Sequence, residues 1–297
     1  MRELNPLGIP TAPPLPQGEV LSVRDRGEFF VRMLGASTDA VPVLLIHGWQ
    51  ATADLNFFPL FAPLSERHLV IAPDLRGHGR SLYPEAPFTM DAAADDQAAL
   101  LRHLHIPRAI IVGYSLGTAV AQTMAERHPA LVSGLVLAGG EFAPDRRLHE
   151  KLYLRAGDWQ ASVQRLTQGR WGAHRIVSKA SRETPAIEAI RPWLVGEIER
   201  GHPASLRAAG RALGRFDGRP IAAAHRQVPT AVVITRRDHL VRPARQERLA
   251  TAWRATRVEL DADHDAPLAR PDDFVRAMLE AVASVAARTP AVAELAG

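Results

Sequence analysis

Ser115, Asp238 and His264 are three residue types that together can turn a hydroxyl into a nucleophile. A serine alone attacks poorly. It needs a base to take its proton, an acid to orient that base, and donors for the negative charge that develops on the attacked oxygen. Ser115 stands in Gly113-Tyr114-Ser115-Leu116-Gly117, which fits Gly-x-Ser-x-Gly. An apolar run at 109–112 leads into it, and 118–127 reads as a helix. Strand, sharp turn and helix form the setting in which this motif lifts a serine hydroxyl above a sheet edge. The glycines two before and two after the serine let strand and helix approach closely around the turn.

His264 follows the last strand candidate, in Leu260-Asp261-Ala262-Asp263-His264-Asp265-Ala266-Pro267, and is the candidate base. Asp238 follows the strand candidate 230–235, where an orienting acid belongs, so the chain order is serine, acid, histidine. Glu141, just past the strand candidate 132–138, is a rival acid at the same sheet edge. Asp261, Asp263 and Asp265 are too near His264 in sequence to reach back onto its ring with triad geometry. His78, inside the glycine-rich stretch from Asp74 to Ser81, and His239, beside Asp238, read as loop residues, and Asp74 as a support of its own loop. His47-Gly48-Trp49 follows the strand candidate 43–46. The backbone N–H of Trp49, paired with that of Leu116 after the serine, is the candidate oxyanion hole.

A frame must bring these residues together. Two strands at 20–23 and 29–33, joined by Asp25-Arg26-Gly27, read as an antiparallel edge hairpin. Short apolar strands follow at 43–46, 68–72, 109–112, 132–138, 230–235 and 257–260. Helical stretches at 91–103, 118–127, 243–253 and 271–287 separate several of them, and Pro243 and Pro271 suit early helical positions. This alternation predicts an α/β protein with a mostly parallel sheet covered on both faces. The stretch 141–227 breaks the rhythm: it offers no buried strand, but helical segments around 149–155, 159–167, 185–198 and 205–213. It also holds Trp159, Trp171 and Trp193. It reads as a helical lid over a pocket, inserted between core segments 1–140 and 228–297. Residues 1–18, rich in proline, read as an irregular arm.

Composition removes other chemistries. The 297 residues are 46% hydrophobic and 23% charged, enough for one large core. With no cysteine there is no disulfide framework, thiolate metal site or cysteine nucleophile. The 12 histidines are scattered and form no metal-ligand pair with acids on a helix face. No Gly-x-Gly-x-x-Gly follows the first strand and there is no phosphate-binding Walker loop, so no cofactor or metal is expected. Net charge is +4, the lysines are Lys151 and Lys179, and the arginines interleave with acids. This is no nucleic-acid stripe. The first 18 residues lack the apolar core of a secretory signal, and no apolar run approaches the ~18 residues of a membrane span. The expectation is a cytoplasmic protein acting on a small molecule, its oligomeric state left open.

His47-Gly48-Trp49, Asp74 through Ser81, Gly113 through Gly117, Asp238 and His264 together resemble the α/β-hydrolase superfamily over nearly the whole chain. The resemblance implies an eight-stranded sheet with a lid after the sixth strand. It implies Ser115 as nucleophile, Asp238 as acid, His264 as base, and Trp49 and Leu116 as oxyanion donors. It disfavours the dehalogenase and epoxide hydrolase branches, which place aspartate at the elbow where this chain has Ser115. A tryptophan after His-Gly is shared with esterase, perhydrolase-like and carbon–carbon-bond-hydrolase branches. The implied function is cleavage of a largely hydrophobic ester or related acyl compound without cofactor, with Arg146, Arg147 and Arg155 available to a substrate carboxylate. The alternatives are a lactonase, thioesterase or carbon–carbon bond hydrolase on the same residues, and a silent ligand-binding protein.

Overall fold

Short apolar runs assemble into an eight-stranded sheet: β1 (Gly18–Val23), β2 (Gly27–Leu34), β3 (Val43–Ile46), β4 (Val70–Pro73), β5 (Ala109–Tyr114), β6 (Val132–Ala138), β7 (Thr230–Thr235) and β8 (Thr256–Leu260). The structure, a computed structural model, describes residues 12–35, 40–141 and 170–289. Strand order is β1-β2-β4-β3-β5-β6-β7-β8, with β1–β2 and β2–β4 antiparallel and every later pair parallel. Helices α1 (Ala53–Phe57), α2 (Phe61–Ser65), α3 (Met90–His103) and α4 (Leu116–Arg127) precede β6. Between β6 and β7 lie α5 (Arg170–Glu183), α6 (Arg191–Glu199), α7 (Pro203–Arg215) and α8 (Arg219–Ala224). After β7 come α9 (Pro243–Ala252), α10 (Ala266–Ala269) and α11 (Pro271–Ala286).

Strands β3 to β7 are buried along their whole length and largely apolar because both faces are covered. Ile111, Leu135, Leu137, Val232 and Ile234 join one core with Leu100, Val120 and Met124 of α3 and α4. Ile110, Val112, Val136, Ala138 and Val233 join the other with Phe57, Phe61, Phe274 and Met278. Thr89 caps α3, its Oγ1 accepting the Ala92 N–H at 3.0 Å. Such a cap contributes about 1 kcal/mol.

The strand order turns back at β3, whose neighbours are β4 and β5. In an open parallel sheet, the carboxyl ends of strands on either side of such a reversal leave a crevice. The segments after β3 and β5 are His47-Gly48-Trp49 and Ser115, so topology brings them to one place.

Some boundaries differ from the sequence reading. The run expected at 68–72 is β4 from Val70 to Pro73, with Leu69 O already accepting Val43 N–H at 2.8 Å and the His68 ring Nδ1–H turned to Val41 O at 2.8 Å. The strand expected at 109–112 continues to Tyr114, directly against the serine. The segment read as one helix over 185–198 is a 3-10 turn, Pro185–Ile190, followed by α6, with Pro192 in the first turn of the new helix. Helices α5 and α8 escaped the sequence reading. Gly172 and the β-branched Ile176 and Val177 are weak helix formers. Burial of Val177 and Ala180 in a cluster with Leu194, Leu268 and Ala269 stabilises α5 instead. Residues 1–11, the segments 149–155 and 159–167, Trp159, Arg146, Arg147, Arg155 and the Trp171 side chain lie outside the described residues. Among the described residues no helix is long and apolar enough to cross a membrane.

Candidate active site

Ser115 occupies φ 53° and ψ −117°, a backbone conformation that side chains rarely adopt. It costs of order 1–3 kcal/mol and survives where surroundings over-determine it. Here Ser115 N–H donates to Ala138 O at 2.9 Å, and Ser115 O accepts from Thr118 N–H at 2.9 Å and Thr118 Oγ1–H at 2.7 Å. The flanking glycines are steric requirements. A Cβ on Gly113 would stand 2.3 Å from Gly117 O, and one on Gly117 would stand 2.1 Å from Ile46 O. The turn leaves Ser115 half-buried, with its Oγ–H 2.9 Å from His264 Nε2 as donor.

His264 Nδ1–H donates to Asp238 Oδ2 at 2.8 Å, so the structure brings Ser115, His264 and Asp238 into one hydrogen-bonded line. Asp238 is buried and heavily served. Its Oδ2 also accepts from Thr235 Oγ1–H at 2.7 Å and Gln246 Nε2–H at 3.3 Å, and its Oδ1 from Leu240 and Val241 N–H at 2.8 and 2.7 Å. Gln246, fully buried on α9, accepts Thr235 N–H at 2.9 Å and donates to Val241 O and Thr235 Oγ1, both at 2.7 Å. The sequence marks Thr235 and Gln246 only faintly, as a threonine ending a strand before the acid and an amide on the next helix.

The histidine loop is pinned from several sides. Tyr114 Oη–H donates to His264 O at 2.9 Å, and burial holds this phenol well above its usual range, so it stays a donor. Asp263 accepts His264 N–H at 2.7 Å, His239 N–H at 3.0 Å and the Lys179 ammonium of α5 at 2.6 Å. Burial alone would raise the Asp263 carboxyl, but Lys179 and these N–H groups outweigh it and hold it far below the usual range.

The other sequence candidates go elsewhere. Glu141 pairs with Arg245 at 3.0 Å, while the His264 Nδ1–H points to Asp238. His239 is exposed and turns its ring to Asp263 at 3.0 Å. His78 is buried, its Nδ1–H on Arg76 O at 3.0 Å, and burial pushes its pKa down to about 4. Asp74 serves its loop, accepting Ala53 N–H at 2.8 Å and Arg80 N–H at 2.9 Å, and burial pushes its pKa up to about 7.

The segment after β3 closes the site from the opposite side. His47 is buried, and burial together with the nearby His78 pushes its pKa down to about 3. The neutral ring accepts Leu75 N–H on Nε2 and donates from Nδ1 to Gly48 O, both at 2.8 Å. Gly48 N–H donates to Asn56 Oδ1 at 2.7 Å, and a Cβ on Gly48 would lie 3.2 Å from Ser115 Cβ. Among the described residues, neither Trp49 N–H nor Leu116 N–H donates to a protein acceptor. Leu116 is the first residue of α4, where helix geometry leaves N–H groups unpaired and the dipole favours negative charge.

A serine held at a strained strand-to-helix turn, beside the reversal of a mostly parallel sheet, defines a class of protein. The chain belongs to the alpha/beta hydrolase fold family, whose profile matches residues 41–271. It is similar to the pimeloyl-[acyl-carrier protein] methyl ester esterase of Chromobacterium violaceum, with 32% identity over 260 residues, 84% of this chain and 96% of that protein. Similarity to an uncharacterized protein of Mycobacterium tuberculosis is higher but local, 44% over 100 residues, 33% of this chain and 29% of that protein's length. Among solved structures it resembles a thermophilic esterase from Thermogutta terrifontis, with TM-score 0.73, 26% identity, and 91% of this chain and 99% of that chain covered. An enol-lactonase from Burkholderia xenovorans LB400 shares the fold, with TM-score 0.69, 23% identity, and 89% and 100% covered.

Proposed function

We propose that this protein is a serine hydrolase that cleaves a carboxylic ester through an acyl-enzyme on Ser115. The observation that carries the reading is the unbroken line Ser115 Oγ–H to His264 Nε2, at 2.9 Å, and His264 Nδ1–H to Asp238, at 2.8 Å. Nucleophile and base are within the reach that proton transfer needs. Ser115 Oγ attacks the ester carbonyl carbon as its proton passes to His264 Nε2. Asp238 holds the ring and faces the positive charge that forms on it. The tetrahedral oxyanion rests on the N–H groups of Trp49 and Leu116. Collapse breaks the bond to the alcohol oxygen, which leaves with the proton from His264. Water then attacks the acyl-serine, gives its proton to His264, and the carboxylic acid departs as Ser115 recovers its own.

The described helices α5 to α8, between β6 and β7, act as the lid of this site within the insertion 141–227. Trp193 of α6 packs edge-on to Phe58 at 5.6 Å between ring centroids, an apolar contact in keeping with a hydrophobic acyl substrate. Similarity across most of both chains to a methyl ester esterase supports an ester over a lactone, a thioester or a carbon–carbon bond. Replacing Ser115 by Ala removes hydrolysis of p-nitrophenyl esters, a loss of at least roughly 10⁴-fold, with folding intact by circular dichroism. Turnover that persists in this variant would overturn the nucleophile. A fluorophosphonate probe labels Ser115 in the parent protein, and absence of labelling would favour a silent ligand-binding role.

A further inference from the structure

Helix α7 meets the segment after β3 at Trp49. The Trp49 indole Nε1–H donates to Leu206 O at 2.7 Å. Its six-membered ring lies on Gly210, one helical turn further along, where a Cβ would stand 2.7 Å from Cζ2 and 3.2 Å from Cη2. Gly210 is buried in the middle of α7, where a glycine costs about 1 kcal/mol relative to alanine. Its φ lies outside the left-handed region, so its own backbone does not ask for glycine. The missing side chain makes room for the indole.

The residue before the same tryptophan lies beside Ser115: a Cβ on Gly48 would stand 3.2 Å from Ser115 Cβ. Three further contacts hold the segment: Gly48 N–H on Asn56 Oδ1, Thr52 Oγ1–H on Glu197 of α6 at 2.7 Å, and the Ala53 N–H on Asp74. Trp49 itself is fixed by its side chain on α7.

We propose that the contact of Trp49 with Gly210 and Leu206 positions the Trp49 N–H for the developing oxyanion, making the Trp49 side chain and Gly210 positioning residues. The proposal rests on the reading of Trp49 N–H as an oxyanion donor. Its consequence is specificity: a substrate that displaces α7 pulls on the residue that supplies the donor, so a poor fit beneath the helices lowers kcat more than it raises KM. Oxyanion donors act on the transition state, and a displacement of well under 1 Å suffices to weaken one.

The test is a double-mutant cycle on the full chain with a p-nitrophenyl ester. G210A lowers kcat about tenfold with KM changed less than about twofold, a loss intermediate between none and removal of a whole oxyanion donor. W49F also lowers kcat, because the bond to Leu206 O is gone. In the W49F background G210A costs less than about twofold, since a phenyl ring leaves the space above Gly210 open. G210A matching the parent in kcat, or losing the same factor in both backgrounds, overturns the proposal. A G210A loss that appears in KM alone also overturns it, because a merely structural role would read there or in melting temperature. Parent turnover that survives S115A overturns the function reading instead, so the two failures are distinct.

Discussion

Asp74 and Asp238 make an instructive pair. Both stand just past a parallel strand at the same edge of the sheet, after β4 and β7, and both collect backbone N–H donors on buried carboxylates. Yet only Asp238 meets an imidazole. Asp74 is enclosed by Ala53, by Arg80 at 3.6 Å, and by a charged knot in which Arg32 grips Asp54 at 2.6 and 2.7 Å and Arg80 grips Glu197. Asp238 has one oxygen turned outward, toward the loop after β8 that carries His264. Residue type and position in a strand order do not make a carboxylate part of a triad. What makes it one is which loop lies across from it.

Paired substitutions probe that contrast. D238N is expected to lower kcat by about 10⁴-fold, because the ring loses its orienting acid. D74N is expected to cost stability while keeping kcat within about threefold. Similar losses of activity in both would remove the distinction. Glu197 tests whether the knot around Asp74 is structural. E197A leaves the half-buried Arg80 and the buried Thr52 without their partner on α6 and should destabilise by about 3 kcal/mol, read by urea unfolding. A loss under about 1 kcal/mol would mean that Asp54 and Asp74 suffice for Arg80.

The D74N loss of stability should be about 1–3 kcal/mol at pH 5, since the amide cannot accept from both backbone donors. Its pH dependence has a defined sign. The folded pKa of Asp74 is raised to about 7 by burial, above its ordinary carboxylate value, so the folded state holds the proton more tightly. The stability from protonated Asp74 is therefore fully present below about pH 4 and disappears as pH rises through about 7. The parent's advantage over D74N should shrink between pH 5 and 8, and an advantage that grows would contradict the raised value. The smallest effect belongs to Lys179, half exposed and bonded to Asp263 and Asp265 beside the base. K179A should cost under about 1 kcal/mol and lower kcat less than about threefold. A larger fall in kcat would make α5 a determinant of the base's position.

Much of the frame was legible in the sequence because its signals are local. Continuous apolar runs marked the buried strands, and Pro243 and Pro271 marked helix starts. The order Ser115, Asp238, His264 selected the residues that the structure brings together. Glu141 could not be separated from Asp238 that way, since both follow parallel strands. The distinction came from Arg245 on α9, which takes Glu141. Gln246 was invisible because its role depends on the face of α9 that turns toward Thr235 and Val241. Helix α5 was invisible because Gly172, Ile176 and Val177 interrupt its helix formers, and burial of Val177 and Ala180 against Leu268 and Ala269 supplies the rest.

Gly113, Gly117 and the strand before them were enough to specify a strained serine at the sheet edge, since the steric demand runs between residues four apart and the end of one neighbouring strand. The partner of that serine's base, and the role of a glycine in the middle of α7, belong to packing. Trp49 and Leu206 are 157 positions apart, and Gly210 looks like a weak spot in its helix until the indole lies on it. Local sterics act between neighbours and can be read from their order. The choice of acid and the seat of the tryptophan depend on how distant surfaces meet, and that follows from the folding of the entire sheet and its inserted helices.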